Sequence, residues 1–126
     1  MGFDIRLVFD RGVPIYRQIY EAVAAALAGG ALERGEQLPT IQELAGRLGV
    51  NPNTVARAYR ELERDSYITG RRGVGTFSSE ESAVPEAPPA ERRQALRSIF
   101  ERALVEASRY GIGIDELKGY FRKAKS

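Results

Sequence analysis

Arginine side chains are the chemically most suggestive feature of one stretch of this chain. Between Arg47 and Arg72 there are six arginines against three acidic residues. A guanidinium can neutralise a phosphate group or donate two parallel hydrogen bonds to a guanine base. A local excess of three positive charges is modest, however, and a solvated helix face would carry a similar one. Charge alone therefore favours a nucleic-acid surface only weakly.

Other kinds of chemistry are excluded by the residue types that the chain lacks. Among its 126 residues there is no cysteine and no histidine. This excludes disulfides, Ser-His-Asp or Cys-His catalysis, and zinc or iron sites built from Cys and His. No acidic cluster suggests an all-oxygen metal site. We therefore expect a protein that is not an enzyme and that carries no metal and no cofactor.

The same sequence shows no signal for a membrane. No apolar stretch approaches the ~20 residues that span a bilayer. The N-terminal segment carries Asp4 and Asp10 and lacks the apolar core of a signal peptide. We expect a cytoplasmic protein without a membrane partner.

A segment rich in proline and glutamate interrupts the chain. Residues 80–89 lack aromatic side chains, and their prolines and repelling charges predict an extended linker. Apolar residues make up 43% of the chain, which is enough for a packed core. We therefore expect an N-terminal domain over residues 1–79 and a C-terminal domain over residues 90–126.

Local start and stop signals predict the first two helices. Proline suits the first helical position, which places Pro14 there, and Gly29-Gly30 ends that helix. Thr40 and Glu43 have the spacing of a capping box at the start of the second helix. Gly49 stands where a left-handed helix end is wanted.

A third helix and a hairpin complete the predicted N-terminal domain. Asn51 is a natural N-cap and Pro52 a natural first helical residue, so only a tight turn separates this helix from Gly49. Two β-prone segments, 67–69 and 76–78, flank a glycine-rich basic turn. Three helices followed by such a hairpin predict a winged helix-turn-helix, a mostly α fold of the α+β class.

The C-terminal segment predicts two helices, from Pro89 to Tyr110 and after Gly113. Their apolar residues recur at helical spacing, and about 35 residues are too few to enclose a core of their own. A second copy of the chain would cover these residues, which makes them the predicted dimerisation surface. A pocket for a small-molecule effector is the alternative left open. The predicted surface consists of Leu96, Ile99, Phe100, Ala103, Leu104, Ala107, Tyr110, Leu117, Tyr120 and Phe121.

Three separated motifs resemble the GntR family of bacterial transcription regulators. They are PIYRQI, LPTIQELAGRLGVNPNTVARAYRELE and GVGTF, in that order. The short two-helix C-terminus is most similar to the YtrA-type subfamily. The resemblance implies a homodimeric repressor that binds a two-fold symmetric DNA operator, often that of a transporter operon. It also implies that the third helix enters the major groove and the wing reaches the minor groove.

The resemblance and the arginine pattern together suggest which residues contact DNA. Instead of contacting DNA, Arg57 could pair with Glu61 one helical turn away. Arg60 could likewise pair with a neighbouring acidic residue. The two arginines of the wing have the alternative of serving only solubility. The predicted contacts are Thr40, Gln42, Asn53, Thr54, Arg57, Arg60, Arg71, Arg72, Gly73 and Gly75.

Three positions depart from the family pattern. Gln42 stands where the family commonly has arginine, so the charge and the guanine-binding fork are lost there. Ala56 offers only apolar contact at a position that some relatives use for bases. Ser66 replaces a usual glycine, which would cost about 1 kcal/mol if the backbone there needs positive φ.

Two functions of different classes follow from these features. The first is a sequence-specific, dimeric DNA-binding repressor. The alternative is a winged-helix module that binds protein and has no DNA sequence preference. A gel-shift measurement at physiological salt would discriminate between them.

Overall fold

Five helices and one two-stranded antiparallel hairpin make up the regular structure of the described residues. A computed structural model describes residues 4–9, 12–80 and 86–125. The chain divides into two compact units, Met1–Ala83 and Val84–Ser126. This architecture confirms the predicted mostly α, winged-helix fold class. In chain order the elements are α1 (Ile15–Gly29), α2 (Ile41–Leu48), α3 (Pro52–Arg64), β1 (Ile68–Arg71), β2 (Gly75–Ser78), α4 (Pro89–Ser108) and α5 (Ile114–Lys125).

The ends of α2 and the start of α3 form as their capping residues predict. The Thr40 hydroxyl accepts the Glu43 amide at 3.1 Å, and the Glu43 carboxylate accepts the Thr40 amide at 3.3 Å. Gly49 ends α2 in the left-handed region with φ 67°. The Asn51 side chain then accepts the Asn53 amide at 2.8 Å and caps α3. The turn between α2 and α3 is thus bounded by the left-handed Gly49 and by the Asn51 cap.

The start of α1 differs from the prediction by one residue. Pro14 is the N-cap, with extended backbone (φ −56°, ψ 143°), and Ile15 is the first helical residue. Proline's φ suits both positions, so sequence alone does not separate them. The Gln18 side chain accepts the amide of Val8 at 2.8 Å and donates to its carbonyl at 2.7 Å. These two bonds hold the N-terminal segment against α1.

The core of the first unit forms where α1 and α2 pack against α3. Tyr59 is buried, and its hydroxyl donates to the Pro39 carbonyl at 2.7 Å. This bond satisfies two polar groups that would otherwise be buried without partners. The core residues are Ile19, Val23, Ala26, Leu32, Leu38, Leu44, Ala45, Val55, Ala58, Tyr59, Leu62 and Ile68.

The hairpin of β1 and β2 is anchored to the connector between α1 and α2. The Leu38 amide donates to the Thr76 carbonyl at 2.8 Å, and the Ser78 amide donates to the Glu36 carbonyl at 2.8 Å. The buried Ser78 hydroxyl donates to the Glu33 carbonyl at 2.5 Å. The base of the hairpin is therefore fixed to the helical core.

The strands run closer to the hairpin turn than their β-prone residues predict. Pairing extends from Ile68 opposite Ser78 to Arg71 opposite Gly75. The Val74 amide donates to the Arg71 carbonyl at 2.9 Å and closes the turn, with Gly73 at φ 77°. Since only three residues remain unpaired, the turn is tighter than the glycine spacing suggests.

Tyr20 ties α1 to the region that follows α3. Its hydroxyl donates to the Asp65 carboxylate, and its ring meets the Tyr67 ring edge-on at 5.9 Å. Burial and this hydrogen bond raise the pKa of Tyr20 to about 12. The same hydrogen bond lowers the pKa of Asp65.

Ser66 lies between Asp65 and Tyr67 and has φ 64°. It is the only non-glycine residue with positive φ among those described. The strained backbone expected at Ser66 is therefore present.

The second unit has two helices but almost no buried apolar surface. Ala107 is the only apolar residue that α4 buries. Leu96 is 65% exposed, Phe121 64% and Tyr120 71%. Burial in the first unit thus contrasts with wide exposure here. In the described part of the chain, no helix is both long and apolar enough to cross a bilayer.

Candidate nucleic-acid interface

One face of α3 is rich in exposed arginines. Because α3 buries Val55, Ala58, Tyr59 and Leu62, helical geometry turns the opposite face to solvent. We call this face, with Asn53, Arg57, Arg60 and Arg64, the arginine face; all four side chains are exposed. Thr54 is half-buried beside it in the first turn of the helix.

Arg57 does not form the ion pair with Glu61 that was its alternative to contacting DNA. Its guanidinium carbon lies 3.8 Å from the centroid of the Tyr16 ring on α1. Glu61, the alternative partner, instead lies 3.9 Å from Arg64. Arg57 forms no ion pair with any described residue, so its charge is stacked on an aromatic ring but not neutralised.

Tyr16 is a site residue that sequence reasoning missed. It lies next to Ile15 and three residues before Ile19, in an apolar stripe that gave it no separate role. Only the packing of α1 on α3 brings its ring under Arg57. The signal available in the sequence was its place in the PIYRQI motif, which indicates family membership but no contact.

The remaining arginines of α3 differ in how much of their charge is free. Arg64 pairs with Glu61 and, at 3.5 Å, with Asp65. Arg60 has no ion pair or hydrogen bond within the described ranges, although pairing with an acid was its expected alternative. Its five N–H donors are therefore open to a ligand.

The start of α2, the helix that precedes α3 in the chain, offers two polar side chains. The Thr40 oxygen accepts the capping bond from Glu43, which leaves its hydroxyl proton able to donate. Gln42 is exposed at the second position of α2. Donors at the first turn of a helix face the positive end of its dipole, where an anion such as phosphate binds favourably.

The wing tip, residues 71–74, treats its two arginines differently. Arg71 lies over the Phe77 ring, 4.7 Å from its centroid, and pairs with Glu80 at 3.7 Å. Arg72 stands in the turn itself, exposed, with no partner in the described part of the chain. Of the two, Arg72 is the side chain with unengaged donors.

Gln37 is the second residue that sequence reasoning missed. Its side-chain amide donates to the Val74 carbonyl at 3.2 Å and so holds the wing tip. A Cβ at Gly75, where φ is 140°, would lie 2.5 Å from the Gln37 amide nitrogen. Gly73 and Gly75 both have a positive φ that favours glycine, and a side chain at Gly75 would in addition displace the Gln37 amide.

The chemistry available to this surface is anion binding and hydrogen-bond donation. Within the described residues there is no group of three or more acidic side chains that could hold a metal ion. Arg57 and Arg60 on α3 and Arg72 in the wing tip are exposed and form no ion pair with a described residue. Such a surface can neutralise phosphates and read base edges.

Known proteins are similar to this chain in both sequence and fold. Residues 15–77 match the bacterial regulatory proteins of the gntR family. The HTH-type transcriptional regulator Rv1152 of Mycobacterium tuberculosis is 45% identical over 60% of this chain, which spans only 62% of that relative. The HTH-type transcriptional repressor YtrA of Bacillus subtilis is 31% identical over 87% of this chain and 83% of its own length.

A solved structure extends the likeness to a DNA complex. The DNA-binding domain of AraR, crystallised in complex with operator ORE1, has a TM-score of 0.51 and 26% identity. It covers 61% of this chain and 94% of its own. Both sequence relatives are transcriptional regulators, which confirms the expectation of a protein that is not an enzyme. With half of its length matching the family, and with a relative such as YtrA covered over most of its length, the chain belongs to the GntR family of bacterial regulatory proteins.

Proposed function

We propose that this protein is a sequence-specific DNA-binding repressor that acts as a homodimer on a two-fold symmetric operator. The observation that carries the proposal is the set of unpaired, exposed guanidinium groups on α3 and on the wing tip. Arg57, Arg60 and Arg72 present donors of the kind that bind phosphates and guanine edges. The likeness to YtrA, a repressor, and to the operator-bound AraR domain supports the same function.

The third helix, α3, and the wing tip suit different grooves of a duplex. An α-helix fits the major groove, and in helix-turn-helix proteins the N-terminal part of the second helix contacts base edges. Asn53, Thr54 and Arg57 occupy that part of α3. A narrow minor groove concentrates negative potential and attracts arginine, which suits Arg72 in the wing tip. Thr40 and Gln42 would then donate to the backbone phosphates.

The second unit supplies the proposed dimer contact. We call the ten residues predicted above the apolar stripe; nine of them lie on α4 and α5, and Tyr110 lies in the turn after α4, which ends at Ser108 and not at Tyr110 as predicted. Phe100 is 48% exposed and Ile99 55% within its own chain, whereas Ala107 is 5% exposed and has little area left to offer. Ala103, Leu104 and Leu117 are half-buried. Two-fold pairing would bury the stripe in both copies at once.

A duplex selected from a randomised library by the full-length protein provides the direct test. In a gel shift at physiological salt, we expect tight binding to the selected duplex and weak binding to a scrambled one. Arg57→Ala should weaken binding to the selected duplex by about 1–3 kcal/mol and relax discrimination at one base pair per half-site. Arg102→Ala on α4 removes the same charge outside the proposed DNA interface and away from the apolar stripe, and is the matched control. If no sequence preference emerges, the winged unit is a protein-interaction module and the proposal fails.

The repressor role and a transporter operon as target form the finer part of the proposal. The support is the similarity to the YtrA repressor together with the YtrA-type resemblance of the two-helix C-terminus. A reporter placed behind the selected operator should be repressed by the wild-type protein and released by Arg57→Ala. An increase in reporter output with the wild-type protein would contradict repression.

A further inference from the structure

The contact between Tyr16 and Arg57 joins two helices through a charged side chain. The Arg57 guanidinium carbon lies 3.8 Å from the Tyr16 ring centroid. At that separation no guanidinium nitrogen can point straight at the ring centroid without overlapping the ring. The five N–H bonds of a guanidinium lie in one plane, and a guanidinium that packs along a ring face keeps them free to donate.

We propose that Tyr16 is a positioning residue that holds Arg57 ready to read one base pair. The inference rests on the proposed contact of Arg57 with DNA. A free arginine side chain samples many rotamers, and ordering them lowers the affinity of any contact that it makes. A guanidinium already stacked on a ring has given up part of that freedom before DNA arrives.

The surroundings of the pair favour this role over simple packing. Tyr16 is half-buried and packs against the core, so its ring is itself held in place. Arg57 remains exposed and has no acidic partner in the described ranges, since Glu61 pairs with Arg64. No ion pair with a described residue therefore competes with DNA for the guanidinium, and the Arg57 side chain is exposed.

Tyr20 provides a matched control on the same helix. It lies one helical turn after Tyr16, is also half-buried, and its ring is also approached by an arginine, with Arg17 5.0 Å from the centroid. It bonds Asp65 and meets Tyr67, and no contact joins it to Arg57. Loss of the Tyr20 ring should thus lower stability without changing base discrimination.

The test measures binding of the full-length protein to the library-selected duplex and to versions of it with single base pairs changed. Arg57→Ala should relax, without abolishing, discrimination at one base pair per half-site. Tyr16→Leu should reduce discrimination at that same base pair by about three- to tenfold. Tyr16→Phe should retain it, because the aromatic face remains. Tyr20→Leu should leave the discrimination pattern unchanged.

A double variant separates the possible outcomes. Adding Tyr16→Leu to Arg57→Ala should cause no further loss of discrimination, since the ring acts through the arginine. If Tyr16→Leu weakens binding to all duplexes equally, or if the two losses add, the positioning role is wrong. If Arg57→Ala itself leaves discrimination intact, the proposed DNA contact of Arg57 fails instead.

The stack can also be measured without DNA. In the free protein, the Tyr16 ring current should shift the Arg57 side-chain protons upfield in the NMR spectrum. Tyr16→Phe should keep this shift, whereas Tyr16→Leu should remove it. Arg57 protons at ordinary positions in the wild-type protein would overturn the inference.

Discussion

The two units of this chain bury their apolar side chains to very different degrees. In Met1–Ala83, three helices and the base of a hairpin close over a common core, and Ile19, Val55 and Leu62 have no exposed surface. In Val84–Ser126, two helices leave most of their large apolar side chains in solvent. The first unit buries its apolar core within one chain, whereas the second unit leaves most of its large apolar side chains exposed.

We propose that the first unit reads DNA and that the second pairs two chains. A closed core holds α3 and the wing rigidly, which is what a recognition surface requires. An apolar stripe left open on a short helix pair is what a dimer interface requires. We therefore expect changes in the two units to affect different measurements.

The largest effect should come from charges placed in the apolar stripe. Phe100→Asp with Leu104→Asp would bury repelling charges in the proposed dimer interface, so the protein should sediment as a monomer. Affinity for the selected duplex should fall about 10²–10⁴-fold, because two linked winged units would no longer bind together. Gln94→Asp with Ser98→Asp adds the same charge to the opposite face of α4 and should leave both properties unchanged. Equal effects of the two pairs would show that charge, and not the stripe, is responsible.

A matched pair of leucine truncations tests the contrast in burial. Leu62→Ala empties a fully buried site and should lower the free energy of unfolding of the first unit by about 2–5 kcal/mol. Leu96 is 65% exposed. Leu96→Ala should change the free energy of unfolding of the first unit by less than about 0.5 kcal/mol and should instead weaken the dimer. Hydrogen exchange read by mass spectrometry can follow α3 and α4 separately. Loss of protection in α3 after Leu96→Ala would contradict the independence of the two units.

Within the first unit, the two wing arginines should differ in their salt dependence. Arg72→Ala removes an unpaired charge and should reduce the slope of log affinity against log salt by roughly 0.9. Arg71→Ala should reduce it less, because Arg71 already pairs with Glu80 and lies over Phe77. Titration of the selected duplex at several salt concentrations measures both slopes. Identical reductions would mean that Arg71 leaves Glu80 completely when DNA binds.

The smallest effect should be a gain in stability at the end of α3. Ser66 has φ 64°, a conformation that glycine adopts without the steric cost of a Cβ. Ser66→Gly should therefore raise the free energy of unfolding by about 0.5–1 kcal/mol, part of the gain being offset by the freer unfolded chain. Chemical denaturation measures the difference. A loss of stability would indicate that the serine side chain makes a compensating contact.

The elements of this fold could be predicted from sequence because their signals are local. Thr40, Gly49 and Asn51 bond to backbone groups within a few residues, so their types and spacing specify helix ends directly. The strain at Ser66 was accessible through the family resemblance. The position of Pro14 was not, because proline suits both the N-cap and the first helical residue.

The side-chain contacts of the candidate site lie beyond such local patterns. Arg57 meets Tyr16 only because α1 packs on α3, and Gln37 reaches Val74 only because the connector lies beside β2. In both cases residues far apart in sequence meet through tertiary packing. The sequence could therefore predict Arg57 and the wing tip as DNA contacts, but not the side chains that hold them in place.

The proposal that the first unit binds DNA and the second pairs the chains is tested most directly by sedimentation. Two proteins are compared, the full-length chain and residues 1–79, each alone and with the selected duplex. The shorter protein retains all twelve core residues of the first unit. We expect the full-length chain to sediment as a dimer and to place two chains on each duplex. We expect residues 1–79 to sediment as a monomer and to bind the duplex weakly. A dimer of residues 1–79 would contradict the account, because the pairing surface would then lie in the winged unit.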